Sequence, residues 1–295
     1  MALARLILVT GKGGTGKSAV AASLALALTR RRPTVLVDLD QRMWAARMLG
    51  IAPGGNGGSA AGAIPDLETM SLSARSELEA FIERIVPLKT IARRMLNSRT
   101  FGYVSAALPG LEAFLMLERL RLIAGQAALE DRYAVVDAPA TGSTLELLSV
   151  AGGVKRIAPL GTLNRLAAGV EDFLADPARF AVVLTLSAQE LALREALEAA
   201  GILRDRLGVS LAAAVVNAVP QPLFSAAELR TLDAHPACRR LAAWRGGAGG
   251  PAARARRAAA RAHLRVIELP MLFSPAMGRA EVEELSRALG AQLND

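Results

Sequence analysis

Residues 10–18 near the start of the chain have the types and spacing of a phosphate-binding loop. Gly11 is followed by four residues and then by Gly16-Lys17-Ser18, which completes the pattern G-x-x-x-x-G-K-[ST]. The glycines let successive backbone N–H groups point inward, and such a nest at a helix N-terminus binds anions. We expect Lys17 to reach the β- and γ-phosphates of ATP and the Ser18 hydroxyl to ligate Mg²⁺. The alternative is a glycine-rich turn carrying two solvated lysines.

The segments on either side of this loop have the hydropathy of a strand and a helix. Residues 6–9 form a short apolar run typical of a buried strand, and residues 19–28 are rich in Ala and Leu, as helices are. A strand, a loop and a helix in this order are the context that the motif requires. Every residue of the loop is therefore predicted to contact the nucleotide: Gly11, Lys12, Gly13, Gly14, Thr15, Gly16, Lys17 and Ser18.

Acidic residues end two other predicted strands. Residues 35–37 lead to Asp38 and Asp40, and residues 133–136 lead to Asp137. Ligands of open parallel sheets bind at the carboxyl ends of the strands, so these carboxylates should face the phosphates. We expect Asp40 to orient or deprotonate the attacking water, Asp38 to support Mg²⁺ indirectly, and Asp137 to hold a Mg²⁺-bound water. The alternative for Asp38 and Asp40 is a turn in which they cap the next helix.

Two later positions complete the predicted site. Gly142 lies in a turn after Asp137 that leads to a helix, where its N–H could sense the γ-phosphate and move on hydrolysis. Asn217 ends another strand, and its amide could bond the edges of adenine; a turn asparagine is the alternative. Four arginines at helical spacing form either a solvated face or a surface for an acidic partner or lipid. They are Arg254, Arg257, Arg261 and Arg265.

Apolar runs alternate with helical patterns along the chain, which predicts an α/β fold with a mainly parallel sheet and helices on both faces. The predicted strands cover residues 6–10, 34–38, 133–137, 155–159, 180–186, 211–217 and 264–269. We expect one domain over residues 1–295, with an inserted helical subdomain at about 66–125. Glycine-rich segments at about 52–63 and 246–251 are expected to be flexible.

The composition limits the class of protein without specifying a partner. A net charge of +8 could favour nucleic acid or anionic lipid, although we do not expect a nucleic-acid partner. The single cysteine, Cys238, excludes an intrachain disulfide and a cysteine-ligated iron–sulfur cluster. No apolar stretch approaches the roughly 18 residues that a membrane-spanning helix needs. We therefore expect a cytoplasmic protein that reaches a membrane, if at all, through a partner.

Lys12, directly after the first glycine, resembles the early lysine of the deviant Walker A loop in MinD, ParA, nitrogenase-iron-protein and ArsA ATPases. Other stretches resemble the ArsA and guided-entry family, which includes arsenite-pump and tail-anchored-protein-targeting ATPases. These are residues 11–18, 109–112, 137–142, 176–179 and 216–217. The resemblance implies a P-loop NTPase that dimerises around ATP with Lys12 reaching the partner's nucleotide. It also implies a catalytic role for Lys12, Lys17 and Asp40 and an adenine contact for Asn217.

The chain departs from the family pattern in its switch segments. Gln41-Arg42 stands where the family usually has Pro-Ala-His, Ser143 stands in place of a common histidine, and no C-x-x-C is present. The main hypothesis is a Mg²⁺-dependent ATPase acting as a homodimer, or as a heterodimer with a homologous ATPase. Its client would be a membrane protein or a hydrophobic helix bound in a groove of the helical insertion. The alternatives are a MinD/ParA-like positioning ATPase and a weakly catalytic regulatory subunit.

Overall fold

The computed structural model describes residues 3–39, 42–51, 64–85, 110–157, 160–220, 225–235 and 250–293. Seven strands form one sheet: β1 (Leu6–Gly11), β2 (Thr34–Asp38), β3 (Leu67–Ser71), β4 (Tyr133–Ala140), β5 (Phe180–Leu186), β6 (Leu211–Val219) and β7 (Val266–Pro270). Their order across the sheet is β3-β2-β4-β1-β5-β6-β7, and every pair of neighbours is parallel. The predicted α/β class with a parallel sheet is confirmed.

Ten α-helices connect or flank these strands in the described residues. The first five are α1 (Lys17–Thr29), α2 (Trp44–Met48), α3 (Ala74–Ile85), α4 (Leu111–Leu129) and α5 (Thr141–Ile157). The others are α6 (Thr162–Ala175), α7 (Glu190–Gly201), α8 (Ala226–Ala234), α9 (Pro251–Arg261) and α10 (Arg279–Leu293), with a short π-helical turn, Ile202–Arg206, after α7.

The sheet separates two hydrophobic cores because successive strand residues point to opposite faces. In β1, Leu6 and Leu8 join the core formed with α4, α5 and α6, whereas Ile7 and Val9 join the core formed with α1 and α10. All six residues of β1 are buried, as expected for a central strand of a parallel sheet covered on both faces. This arrangement fixes the end of β1, where the phosphate-binding motif begins.

One predicted strand is wrong and one observed strand was missed. Residues 155–157, predicted as the start of a strand, form the last turn of α5, and Ile157 is 68% exposed, which does not fit a buried strand. The helix-forming run before them continues through this segment. Strand β3, which lies in the segment predicted as a helical insertion, is an edge strand with one neighbour. Its polar residues, such as Glu68, lack the apolar pattern of the central strands.

The predicted insertion is described only at its two ends. Helices α3 and α4 pack against each other and on the sheet, and the buried side chains of Leu78, Phe114 and Leu117 belong to the core beside β1 and β4. Residues 86–109 lie outside the described part of the chain, as do the glycine-rich segment at 52–63 and residues 246–249 of the second one. Pro251, at the end of the second predicted flexible segment, begins α9. The predicted client groove therefore stays a prediction.

Candidate functional site

The phosphate-binding motif lies between β1 and α1, at the carboxyl end of the sheet. β1 has β4 and β5 as neighbours, so the loop is at the centre of this edge. The carbonyl oxygen of Lys12 accepts hydrogen bonds from the N–H of Thr15 at 3.3 Å, from its hydroxyl at 2.8 Å and from the Lys17 ammonium at 3.4 Å. These three donors fix the main chain of the loop at Lys12.

Two glycines of the loop adopt the left-handed backbone conformation, with φ of 82° at Gly14 and 86° at Gly16. Side-chain-bearing residues rarely adopt these angles. At Gly16 a second restriction applies, because a Cβ atom would lie 2.2 Å from the Asn217 amide nitrogen. The same nitrogen donates a hydrogen bond of 2.9 Å to the carbonyl oxygen of Thr15. Strand β6 therefore supports the loop through Asn217, a contact that requires glycine at position 16.

Asn217 lies inside β6, so the turn alternative considered for it is wrong. Its amide nitrogen is bonded to the loop, and its side chain also lines a cleft of about 620 Å³ between β6, the start of α7 and the start of α9. The cleft walls include Gln189, Glu190, Arg254 and Met271. No local pattern indicated that these residues line one cleft, because they come from three segments that are far apart in sequence, at 189–190, 254 and 271.

Lys17 and Ser18 open onto a second cleft, of about 610 Å³, together with Asp137. Arg42 and Trp44, which follow β2, line the same cleft. Burial lowers the pKa of the Lys17 ammonium, and the charge of Asp137 opposes part of that shift. A cation, a hydroxyl and a carboxylate thus face one space at the end of the motif, which is the donor set that the sequence predicted for a phosphate–Mg²⁺ site.

Asp38 ends β2, Asp137 lies inside the neighbouring strand β4, and the two residues are paired in register. Both are buried, at 1% and 5% exposure. Asp38 does not cap the next helix, because α2 starts at Trp44 and its N-cap residue is Met43. Asp38 does not line the cleft that contains Asp137. Asp40, predicted to act on the attacking water, lies outside the described residues.

The segment after Asp137 leads directly from β4 into α5. Gly142 is the second residue of α5 and is exposed, with no atom within 4 Å of the place a Cβ would occupy. The start of α5 is tied to β1: the Thr144 hydroxyl donates to the carbonyl oxygen of Pro139 at 3.0 Å and lies 2.9 Å from the Thr10 hydroxyl. The helix start that carries Gly142 is therefore coupled to the strand that carries the loop.

Lys12 does not point into the loop. Its ammonium forms an ion pair of 2.7 Å with Glu195, on the second turn of α7. The two residues are 183 positions apart in sequence, and no motif includes Glu195, so the sequence could not predict the contact. The two lysines thus have different partners in the structure. The Lys17 ammonium donates a hydrogen bond to a neutral carbonyl, whereas the Lys12 ammonium pairs with a carboxylate.

No helix among the described ranges is long and apolar enough to cross a bilayer.

Comparison with known proteins agrees with this geometry. A sequence model of a family described as anion-transporting ATPase, ArsA ATPase, matches residues 4–159, more than half of the chain. The chain is 30% identical over 246 residues to ATPase BagA of Mycobacterium tuberculosis strain ATCC 25618 / H37Rv. A Mycobacterium bovis protein that also has ATPase in its name matches to the same extent. The alignments cover 76% of this chain and 69% of each relative.

Proposed function

Because the chain belongs to the anion-transporting ATPase family and is an ATPase, we propose that it hydrolyses ATP with Mg²⁺ as a dimer assembled around the nucleotide. In this proposal the nucleotide state is coupled to a membrane-protein client or a membrane partner. The observation that carries the proposal is the convergence of Lys17, Ser18 and the buried Asp137 on one cleft. A glycine-rich turn with solvated lysines would not place a carboxylate from β4 beside the last two residues of the motif.

The cleft has oxygen-bearing side chains, Ser18 and Asp137, of the kind that Mg²⁺ binds. Mg²⁺ prefers oxygen ligands, keeps several waters, and is held in nucleotide sites by one or two protein oxygens plus the phosphates. The Ser18 hydroxyl would ligate it directly and Asp137 would hold one of its waters. When bound, Mg²⁺ neutralises charge on the phosphate oxygens. Asp38 is buried in the strand next to Asp137 and would support that carboxylate from outside the cleft.

Hydrolysis in this site depends on charge stabilisation more than on covalent chemistry. The Lys17 ammonium and the N–H groups of residues 13–18 would bind the β- and γ-phosphates and stabilise the charge that develops on the transferring phosphoryl group. Asp40 would orient the attacking water and accept its proton. The N–H of Gly142 would contact the γ-phosphate. Loss of that phosphate would then release the start of α5, which Thr144 couples to β1.

The nucleotide base would occupy the cleft beside Asn217. One N–H of the Asn217 amide donates to the Thr15 carbonyl, and the side-chain carbonyl oxygen would accept a hydrogen bond from the adenine amino group while the second N–H could donate to a ring nitrogen. ATP bound in this way would span both clefts, with the base between α7 and α9 and the phosphates in the loop. Lys12 would contribute to the nucleotide of the partner subunit.

A second candidate is a weakly catalytic subunit that pairs with a more active homologue. It is favoured by the switch residues Gln41 and Arg42, which replace the usual Pro-Ala-His, and by Ser143. Arg42 lines the phosphate cleft, so this replacement is close to the site of reaction. The two candidates differ in turnover by the isolated protein and not in nucleotide binding.

Phosphate release from ATP, measured against Mg²⁺ concentration, tests the proposal. The Lys17→Ala variant should lose at least about 100-fold in turnover, because the cation on the transferring group is removed. Lys155→Ala is the matched control, since Lys155 is an exposed lysine at the end of α5 paired with Glu171. It should behave as wild type. Normal ATP affinity and turnover in Lys17→Ala, or turnover that does not change when Mg²⁺ is chelated, would contradict the proposal.

A further inference from the structure

We propose that Glu195 is a positioning residue that holds Lys12 on its own subunit until the phosphates of a nucleoside triphosphate compete for the lysine. The inference rests on the proposed function, in which Lys12 contacts nucleotide. It adds a residue on α7 that belongs to no part of the motif. Glu195 would thereby set how readily Lys12 becomes available to the triphosphate.

The main chain of Lys12 is held by several hydrogen bonds, whereas its side chain has one observed restraint, the ion pair with Glu195. The Lys12 carbonyl accepts three hydrogen bonds, from the N–H and hydroxyl of Thr15 and from the Lys17 ammonium, so the backbone is held in place. The ammonium of Lys12 is 2.7 Å from Glu195, and their side chains are 33% and 45% exposed. Moving Lys12 to a phosphate therefore requires breaking one ion pair and rotating one side chain, with no change in the loop itself.

The location of Glu195 connects this restraint to the predicted nucleotide site. Helix α7 begins at Glu190, and Gln189 and Glu190 line the cleft beside Asn217. The helix that carries Glu195 therefore forms one wall of the predicted base site, while Lys12 belongs to the phosphate-binding loop. A triphosphate that fills both clefts would bring several negative charges close to Lys12, and phosphate oxygens would compete with the single carboxylate of Glu195.

The exposure of the pair fixes the size of the effect. Exposed ion pairs are weak, so the ion pair of Lys12 with Glu195 should change the affinity for a nucleoside triphosphate by roughly two- to fivefold. This is small enough to be overcome by a triphosphate and large enough to measure in a titration. The competing phosphates belong either to the nucleotide of the same subunit or to that of a partner copy. Only the second source makes the effect depend on protein concentration.

The test compares Glu195→Gln with Glu198→Gln, which makes the same chemical change at an exposed position one turn further along α7. Affinity for a nonhydrolysable ATP analogue with Mg²⁺ is measured for both variants and for wild type. Glu195→Gln should bind the analogue roughly two- to fivefold more tightly, whereas Glu198→Gln should match wild type. In a Lys12→Ala background, Glu195→Gln should have no further effect, because the residue it restrains is gone.

Three results of this test would contradict the inference. An equal effect of the two glutamate variants, or an effect of Glu195→Gln that persists without Lys12, would show only a general change of charge. Weaker binding by Glu195→Gln would show that Glu195 holds Lys12 in its productive position. A gain that grows with protein concentration assigns the competing phosphates to a partner copy, and a constant gain assigns them to the same subunit. A wild-type protein that binds no ATP would overturn the proposed function as well, so the two failures are distinguishable.

Discussion

Ala substitutions at three glycines of the loop test how positive φ angles and the contact with Asn217 restrict which residues the loop accepts. Gly13 has no positive φ and open space at its Cβ position; Gly14 has φ of 82° with open space; Gly16 has φ of 86° and the Asn217 amide nitrogen 2.2 Å from a Cβ. Replacing each by Ala stiffens the unfolded chain by a similar amount, so differences among the three variants report on the folded state.

The magnitudes follow from two separate costs. An Ala in the left-handed region costs about 1–2 kcal/mol, which Gly14→Ala should show relative to Gly13→Ala. Gly16→Ala bears the same backbone cost and also displaces the Asn217 amide, a flexible group that can move but loses its hydrogen bond to Thr15. That loss adds about 0.5–1.5 kcal/mol. We therefore expect the free energy of unfolding to be highest for Gly13→Ala, lower for Gly14→Ala and lowest for Gly16→Ala.

The assay is urea denaturation of the nucleotide-free protein, with the midpoints compared at constant slope. Asn217→Ala provides the internal control, because in that background Gly16→Ala meets no amide and should cost no more than Gly14→Ala. If Gly16→Ala is no worse than Gly14→Ala in the wild-type background, or if its extra cost survives the removal of Asn217, the argument about the contact between β6 and the loop is wrong.

Two further variants test single contacts of the site. Lys17→Met should stabilise the nucleotide-free protein at neutral pH while removing nucleotide binding, because burial lowers the pKa of Lys17 below its ordinary 10.5. At pH values between the pKa of Lys17 in the folded state and its pKa in the unfolded state, the unfolded chain binds more protons, so the free energy of unfolding of the wild type rises with pH. The stability advantage of Lys17→Met should therefore shrink over that interval. A constant or growing advantage in urea titrations at increasing pH would contradict the burial argument. Thr144→Val should lower the free energy of unfolding by about 0.5–1.5 kcal/mol through loss of the bond to Pro139. Thr231→Val, at an exposed threonine of α8, should have an effect near zero, and equal effects in thermal denaturation would refute the role given to Thr144.

Local signals made most of the fold predictable. The central strands β1, β2, β4 and β5 are short, continuous apolar runs, because both of their faces are covered. Edge strand β3 was missed since an exposed edge tolerates polar residues such as Glu68. Residues 155–157 were misassigned because the apolar run of this segment begins only at Ile157 and is short, and a short apolar run is compatible with either a strand or the end of a helix.

The candidate site divides in the same way between local and long-range information. The loop from Gly11 to Ser18 was predictable because its function depends on backbone geometry, which a contiguous glycine pattern specifies. The bond from Asn217 to Thr15 joins residues 202 positions apart, and the ion pair of Lys12 with Glu195 spans 183. Such contacts depend on the strand order of the sheet. The walls of the base cleft likewise come from α7, β6 and α9, which no local pattern brings together.

The most direct test of the central claim is light scattering of the purified protein with Mg²⁺ and either ADP or a nonhydrolysable ATP analogue, combined with phosphate release from ATP across a range of protein concentrations. The account predicts a dimer with the ATP analogue and not with ADP, and turnover per subunit that rises with protein concentration. A protein that hydrolyses ATP as a monomer, at a rate per subunit independent of concentration, would contradict it.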